Sequence, residues 1–141
     1  MKNNLFVIDT NTLVSSFLFR KSNPRRSFET VIKNGKVCSS DKTYNELSEV
    51  LLRSKFDKYI SSEEKLLALK QFKELAVFVE ISETITDCRD PKDNKFLELA
   101  ISANASCIIT GDKDLLILNP FRGIPILNAA DFLIRWLSDE F

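Results

Sequence analysis

The chain has 141 residues, with 20 Lys and Arg against 20 Asp and Glu and a hydrophobic fraction of 44%. This suits one soluble domain over residues 1–141, large enough to fold without disulfides or a structural metal, with no net charge drawing it to nucleic acid or membrane. Histidine is absent and the three cysteines form no C-x-x-C pair, which excludes Ser-His-Asp and Cys-His nucleophile systems and a zinc cluster.

The opening "MKNNLFVIDT" does not read as a signal peptide, because its apolar run spans only Leu5 to Ile8 and ends in an acid. No apolar stretch approaches the roughly 20 residues a membrane helix needs. Cys38, Cys88 and Cys107 read as free thiols of a cytoplasmic protein, Cys38 and Cys107 within the core. Leu5–Ile8 is the first expected strand, and Thr12 to Phe19 the first helix. Asn23-Pro24 is expected to interrupt the helical pattern, which resumes over Arg26 to Lys33 and stops at Asn34-Gly35. Val37–Cys38 follows as a short strand. Tyr44, Leu47, Val50 and Leu51 then line one helical face.

Ser61 or Ser62 caps a helix running to about Glu74, with acids in its first turn. Ala76–Ile81 is the next strand. Asp90-Pro91 marks a helix start, since Asp accepts a backbone N–H and Pro suits the first helical position. Cys107–Thr110 and Ile124–Leu127 are the last strands, and "DFLIRWL" is a terminal helix with Asn128 or Asp131 near its start. Strands alternating with helices point to an α/β fold with a parallel sheet covered on both faces.

Several acids fall where such a sheet binds ligands, at its carboxyl edge. Asp9 follows the first strand directly. Asp112 and Asp114 follow Cys107–Thr110 after Gly111, whose missing side chain would ease a tight turn. Acids after strands are also ordinary turn and cap residues. Glu46 lies on the flank of its helix's apolar face, while Glu49 points toward solvent. Thr43 and Glu46 have capping-box spacing, but Ser40 or Asp41 as an earlier cap would leave Glu46 free; both readings stand. Asp93 falls at the third helical position after the Asp90 cap, in line with Phe96, Leu97 and Ala100, the residues facing the sheet. A favourable macrodipole explains an acid there, but not its inward side.

Asp9, Glu46, Asp93 and Asp112 thus come from four elements that a parallel sheet gathers at one edge. Crowded like charges are costly unless a divalent cation neutralises them. Oxygen donors without His or Cys favour Mg²⁺ or Mn²⁺, which can activate water for attack on a phosphodiester.

The stretches "FVIDTNTLVSSFL", "TYNELSEVL", "DPKDNKFLELAI" and "IITGDKDLL" resemble, in order, the four acidic motifs of PIN-domain nucleases. The closing "IPILNAADFL" resembles the strand and final helix of the VapC-like subgroup, the toxin components of toxin–antitoxin pairs. The resemblance covers nearly the whole chain. It implies a three-layer α/β/α sandwich, PIN-like and Rossmann-like, with a central parallel sheet. It implies Mg²⁺- or Mn²⁺-dependent endoribonuclease activity on single-stranded RNA. On this resemblance Asp9, Glu46, Asp93 and Asp112 match the four acids, Asp114 an additional acid, and Thr110 the Ser/Thr before the last motif; Asn11, beside the first, is a supporting residue. A homodimer and a small antitoxin protein are the implied partners.

Arg20, Lys21, Arg25 and Arg26 form a basic cluster around Asn23-Pro24. It reads as a solvated loop or as an RNA phosphate contact. Phe17 and Phe19 read as core or dimer packing rather than base-stacking platforms. Two alternatives remain: a catalytically silent PIN-like module binding RNA or protein, and another metal-dependent phosphohydrolase. Asn11 stands where a D-x-D phosphatase would carry its second acid, which counts against the latter.

Overall fold

The computed structural model describes residues 4–137. In chain order the elements are β1 (Leu5–Ile8), α1 (Thr10–Leu18), α2 (Asn23–Asn34), β2 (Lys36–Ser39), α3 (Asp41–Leu51), α4 (Ser62–Leu75), β3 (Val77–Phe78), α5 (Asn94–Ala103), β4 (Cys107–Ile109), α6 (Lys113–Leu116), β5 (Ile126–Leu127) and α7 (Ala129–Leu137). Short 3₁₀ turns precede α4, at Ser54–Phe56, and α5, at Pro91–Asp93.

The five strands lie in the order β3-β2-β1-β4-β5, and every pairing is parallel. Side chains alternate across the pleat, and both faces are buried. Phe6, Ile8, Val37, Cys107, Ile109 and Leu127 pack on the side of α1, α2, α3, α4 and α7. Val7, Cys38, Ile108 and Ile126 pack on the opposite side, against Phe96, Leu97, Leu99 and Ala100 of α5 and Leu115 of α6. The result is the expected three-layer α/β/α sandwich.

Side-chain caps set most helix starts. Ser40 and Thr43 form a reciprocal capping box at α3, and Ser61 and Glu64 form another at α4. Asn128 accepts the backbone N–H of Asp131 at the start of α7. The basic segment differs from expectation. Ser22 caps α2 and Pro24 sits in its first turn, so Asn23-Pro24 begins the helix rather than interrupting it. α1 begins at Thr10, two residues early, because the Asp9 side chain accepts from the Thr12 backbone N–H.

The expected strand Ala76–Ile81 shortens to Val77–Phe78. Val79 still donates to Ser39, but the following segment leaves the sheet and lies against α5. There the Ile85 N–H donates to Glu98 Oε2 at 3.0 Å and the Cys88 N–H to Asn94 Oδ1 at 2.8 Å. These two polar residues, one helical turn apart on α5, satisfy backbone that no strand partner reaches.

Candidate active site

Strand order reverses between β1 and β4, with β2 on one side of this pair and β5 on the other. The crevice past the carboxyl ends of such strands is where open α/β sheets bind ligands. Asp9 lies there, directly after β1. Its backbone N–H donates to the Ile109 carbonyl at 3.1 Å, holding it beside the end of β4. The residue is 5% exposed. Oδ1 accepts from the Thr12 N–H at 3.0 Å, and Oδ2 from the Thr110 hydroxyl at 2.5 Å. Burial raises the carboxyl above its usual range; the Thr110 and Thr12 bonds oppose that rise, and the neighbouring Asp112 charge adds to it.

The Thr110 hydroxyl also accepts the Asp112 backbone N–H at 3.0 Å. Asp112 in turn caps α6, its Oδ1 accepting from the Asp114 N–H at 2.8 Å. Gly111 has nothing within 4 Å of where a Cβ would stand, and its φ is not positive, so the turn imposes no steric demand for glycine.

Asp90 and Asp93 divide as their positions suggest. Asp90 accepts from the Lys92 N–H at 3.0 Å and, with Pro91 following, opens the 3₁₀ turn. The turn places Asp93 at the junction with α5, one position before that helix begins. There its side chain makes no capping bond. Asp93 Oδ2 is buried with no hydrogen-bond partner. Its carboxyl is pushed up to about 7 by burial first, then by the adjacent Asp112 carboxyl and the Asp90 charge, against a lowering pull from Lys95.

Glu46 is free of the capping box, as the Ser40 cap requires. Oε1 accepts the Thr10 hydroxyl, and Oε2 pairs with Lys95 Nζ at 2.7 Å. Glu49, one turn on, is exposed beside Arg53 at 3.4 Å. The structure therefore brings Asp9, Asp93 and Asp112 into electrostatic contact, with Glu46 joined to them through Thr10 and Lys95. Asp114 stands at the margin, its carbonyl beside the buried Cys88 thiol. Asn11 is exposed on the first turn of α1.

The basic cluster is not part of this neighbourhood. It occupies the far end of α1, about 13 Å along the helix from Thr10. Arg25 pairs with Glu29 at 3.5 Å, and Arg20 and Arg25 line a groove of about 880 Å³ between α1, α2 and α4. Phe17 packs edge-on against Phe28 and Phe72 within that layer. Neither this groove nor a smaller one near Glu98 and Phe78 is lined by the four acids.

The donor set suits a hard divalent cation: oxygen ligands, mutually repelling charge and one unsatisfied buried oxygen. Among the described residues, however, no three acids converge closely enough to hold one ion as they stand. Coordination by three would need side-chain movement; the Asp9 and Glu46 oxygens each keep a further lone pair beside their present partners.

The PIN domain family matches residues 6–114. The chain belongs to the PIN domain family. Members of this family are nucleases. The PIN domain is also 32% identical over 114 residues to an uncharacterized protein of Methanocaldococcus jannaschii, covering 79% of this chain and 73% of that one. PAE2754 of Pyrobaculum aerophilum shares the fold with a TM-score of 0.65 at 14% identity, over 96% of this chain and 91% of that one. VapBC2 of Rickettsia felis, bound to a DNA fragment from its promoter, gives 0.55 at 18% identity over 88% and 97%. VapBC-1 of nontypeable Haemophilus influenzae gives 0.57 at 18% identity over 89% and 98%.

Sequence reasoning missed Lys95. A cation in the first turn of a helix opposes the macrodipole, so a lysine at that position was a readable sign of a specific anionic partner.

Proposed function

We propose that this PIN domain is a divalent-metal-dependent endoribonuclease of single-stranded RNA and the toxin of a toxin–antitoxin pair. The observation that carries the reading is the Asp93 carboxyl, buried against Asp112 with an unsatisfied oxygen at the sheet's switch point. Asp9, Asp93 and Asp112 would hold Mg²⁺ or Mn²⁺, with Glu46 and Asp114 flanking them. The ion, when bound, supplies Lewis-acid polarisation of a phosphoryl oxygen and a lowered water pKa. The chain's own residues do the positioning. Thr110 orients Asp9 and the backbone of Asp112 together, and the Asp90 turn sets Asp93 inward. VapBC proteins among the fold neighbours support a small antitoxin partner; a homodimer and a single domain over residues 1–141 complete the reading.

The deciding assay uses end-labelled single-stranded RNA with Mg²⁺ or Mn²⁺, with and without excess chelator, for the wild type and Asp93→Asn. Cleavage by wild type only, and only with metal, is expected. Cleavage that survives chelation or the substitution rejects the mechanism. One observation favours a silent binding module instead: both Glu46 oxygens are already engaged, and no three acids converge. That reading predicts RNA or partner binding without turnover under every metal condition.

A further inference from the structure

Charge is unevenly distributed over the four acids. Glu46 is compensated: Oε1 accepts from Thr10, and Oε2 is paired with Lys95 at 2.7 Å. Asp93 is not: its Oδ2 is buried without a hydrogen-bond partner. Lys95 is itself built in. Its side chain is 15% exposed, its ammonium also donates to the Lys92 carbonyl, and it stands 5.3 Å from the Phe96 ring centroid. It stands two positions after Asp93, in the first turn of α5. The Glu46–Lys95 pair joins α3, on one face of the sheet, to α5 on the other.

We propose that Lys95 occupies the place of a second metal ion, so that this PIN domain works with one divalent cation on Asp9, Asp93 and Asp112 and a protein ammonium on Glu46. Two-metal hydrolases set two ions roughly 3.5–4 Å apart to stabilise the attacking and leaving oxygens. Such a pair needs carboxylates for both ions, and here the fourth carboxylate is neutralised by a covalently attached cation. Glu46 is then a positioning residue that aims Lys95, and Lys95 a fixed positive charge at the edge of the phosphodiester site. The proposal rests on the metal-dependent reading and narrows it.

The test is calorimetric titration of the full chain with Mn²⁺ at pH 8, beside RNA cleavage. The wild type is expected to bind one ion. Lys95→Met frees Glu46 and is expected to bind a second, while Lys95→Arg keeps one. Glu46→Gln is expected to leave the affinity for the first ion within about threefold, which keeps the test decisive if Lys95→Met does not fold. The double variant, Lys95→Met with Glu46→Gln, is expected to return to one ion. Two ions on the wild type, no change in stoichiometry for a folded Lys95→Met, or loss of the first ion in Glu46→Gln would each overturn the proposal. A purely structural Lys95 would lower stability and leave the ion count unchanged. The two readings fail separately: one bound ion without RNA cleavage rejects the ribonuclease, and cleavage with two ions rejects only the role of Lys95.

Discussion

Thr110 and Asp9 are bonded hydroxyl to carboxylate at 2.5 Å, joining the ends of β4 and β1 where strand order reverses. The same hydroxyl oxygen accepts the Asp112 N–H at 3.0 Å, so one side chain orients two of the acids. Thr110 is fully buried. Thr110→Val keeps the shape and removes both bonds, leaving a buried carboxylate oxygen and an amide short of partners. A loss of about 1.5–3 kcal/mol is expected in urea unfolding, in the range for hydrogen bonds to charged groups. Thr110→Ser should recover most of it. An unchanged unfolding midpoint for Thr110→Val would show that neither bond matters to the folded state.

The Asp93 carboxyl makes the metal-free protein sensitive to pH. Its value rises from 3.8 to about 7 on folding, through burial and the adjacent Asp112 carboxyl. A carboxyl raised in the folded state favours folding when protonated. That contribution is complete below 3.8 and is lost as pH rises through about 7. With chelator present, the melting temperature should therefore fall between pH 5 and pH 8, and Asp93→Asn should flatten the decline. A wild-type profile parallel to that of Asp93→Asn would refute it.

Metal binding should show the opposite dependence, because the ion competes with the Asp93 proton. Apparent Mn²⁺ affinity is expected to rise about tenfold per pH unit below the Asp93 value, as for displacement of one proton, and to level off above about 7. Titrations at pH 5.5, 6.5 and 8 with matched ionic strength would measure it. A flat profile would mean that Asp93 does not release a proton on binding.

Asp90 and Asp93 should separate under mutation. Asp90→Ala removes the acceptor for the Lys92 N–H and should cost about 0.5–2 kcal/mol, as a lost cap does, with partial cleavage retained. Asp93→Ala should abolish cleavage, keep the circular dichroism spectrum, and raise metal-free stability at pH 8 by relieving repulsion from Asp112. The reverse pattern would overturn this division.

Lys65 supplies a control remote from the acids. Its side chain is 1% exposed, and its ammonium bonds the Arg53 carbonyl at 3.0 Å and Asp57 Oδ1 at 2.6 Å. Lys65→Met fills similar volume but removes both ammonium bonds, leaving the Arg53 carbonyl with the Phe56 N–H alone, and should cost about 1–3 kcal/mol. Cleavage per folded molecule should not change. Reduced turnover at full folding would mean that this corner communicates with the site.

Element types and the carboxyl edge of the sheet that carries the acids were legible because they rest on local signals. Leu5–Ile8 and Cys107–Ile109 are apolar runs ending near acids, and the Ser40, Ser61 and Asp90 caps lie beside helical periodicity. Boundaries suffered where a local signal carried two meanings. Asn23-Pro24 served as a helix start because Ser22 supplied the cap. The run after Ala76 looked uniformly strand-like, yet the strand ends at Phe78, and the chain beyond it turns to α5, where Glu98 and Asn94 take the Ile85 and Cys88 amides.

By itself, the sequence determined which chemistry was open to this protein. The absence of histidine and of a cysteine cluster removed His- and Cys-based chemistries and turned a hydrolytic reading toward carboxylates with a hard cation, and the spacing after strands pointed Asp9 and Asp112 to one edge. Tertiary structure alone decided how those charges are balanced. Thr110 meets Asp9 across 101 positions of chain and Thr10 meets Glu46 across 36, while Lys95 reaches Glu46 from the opposite layer. Hydrogen bonding and charge compensation depend on distances of a few ångströms between elements, which periodicity along one element does not encode.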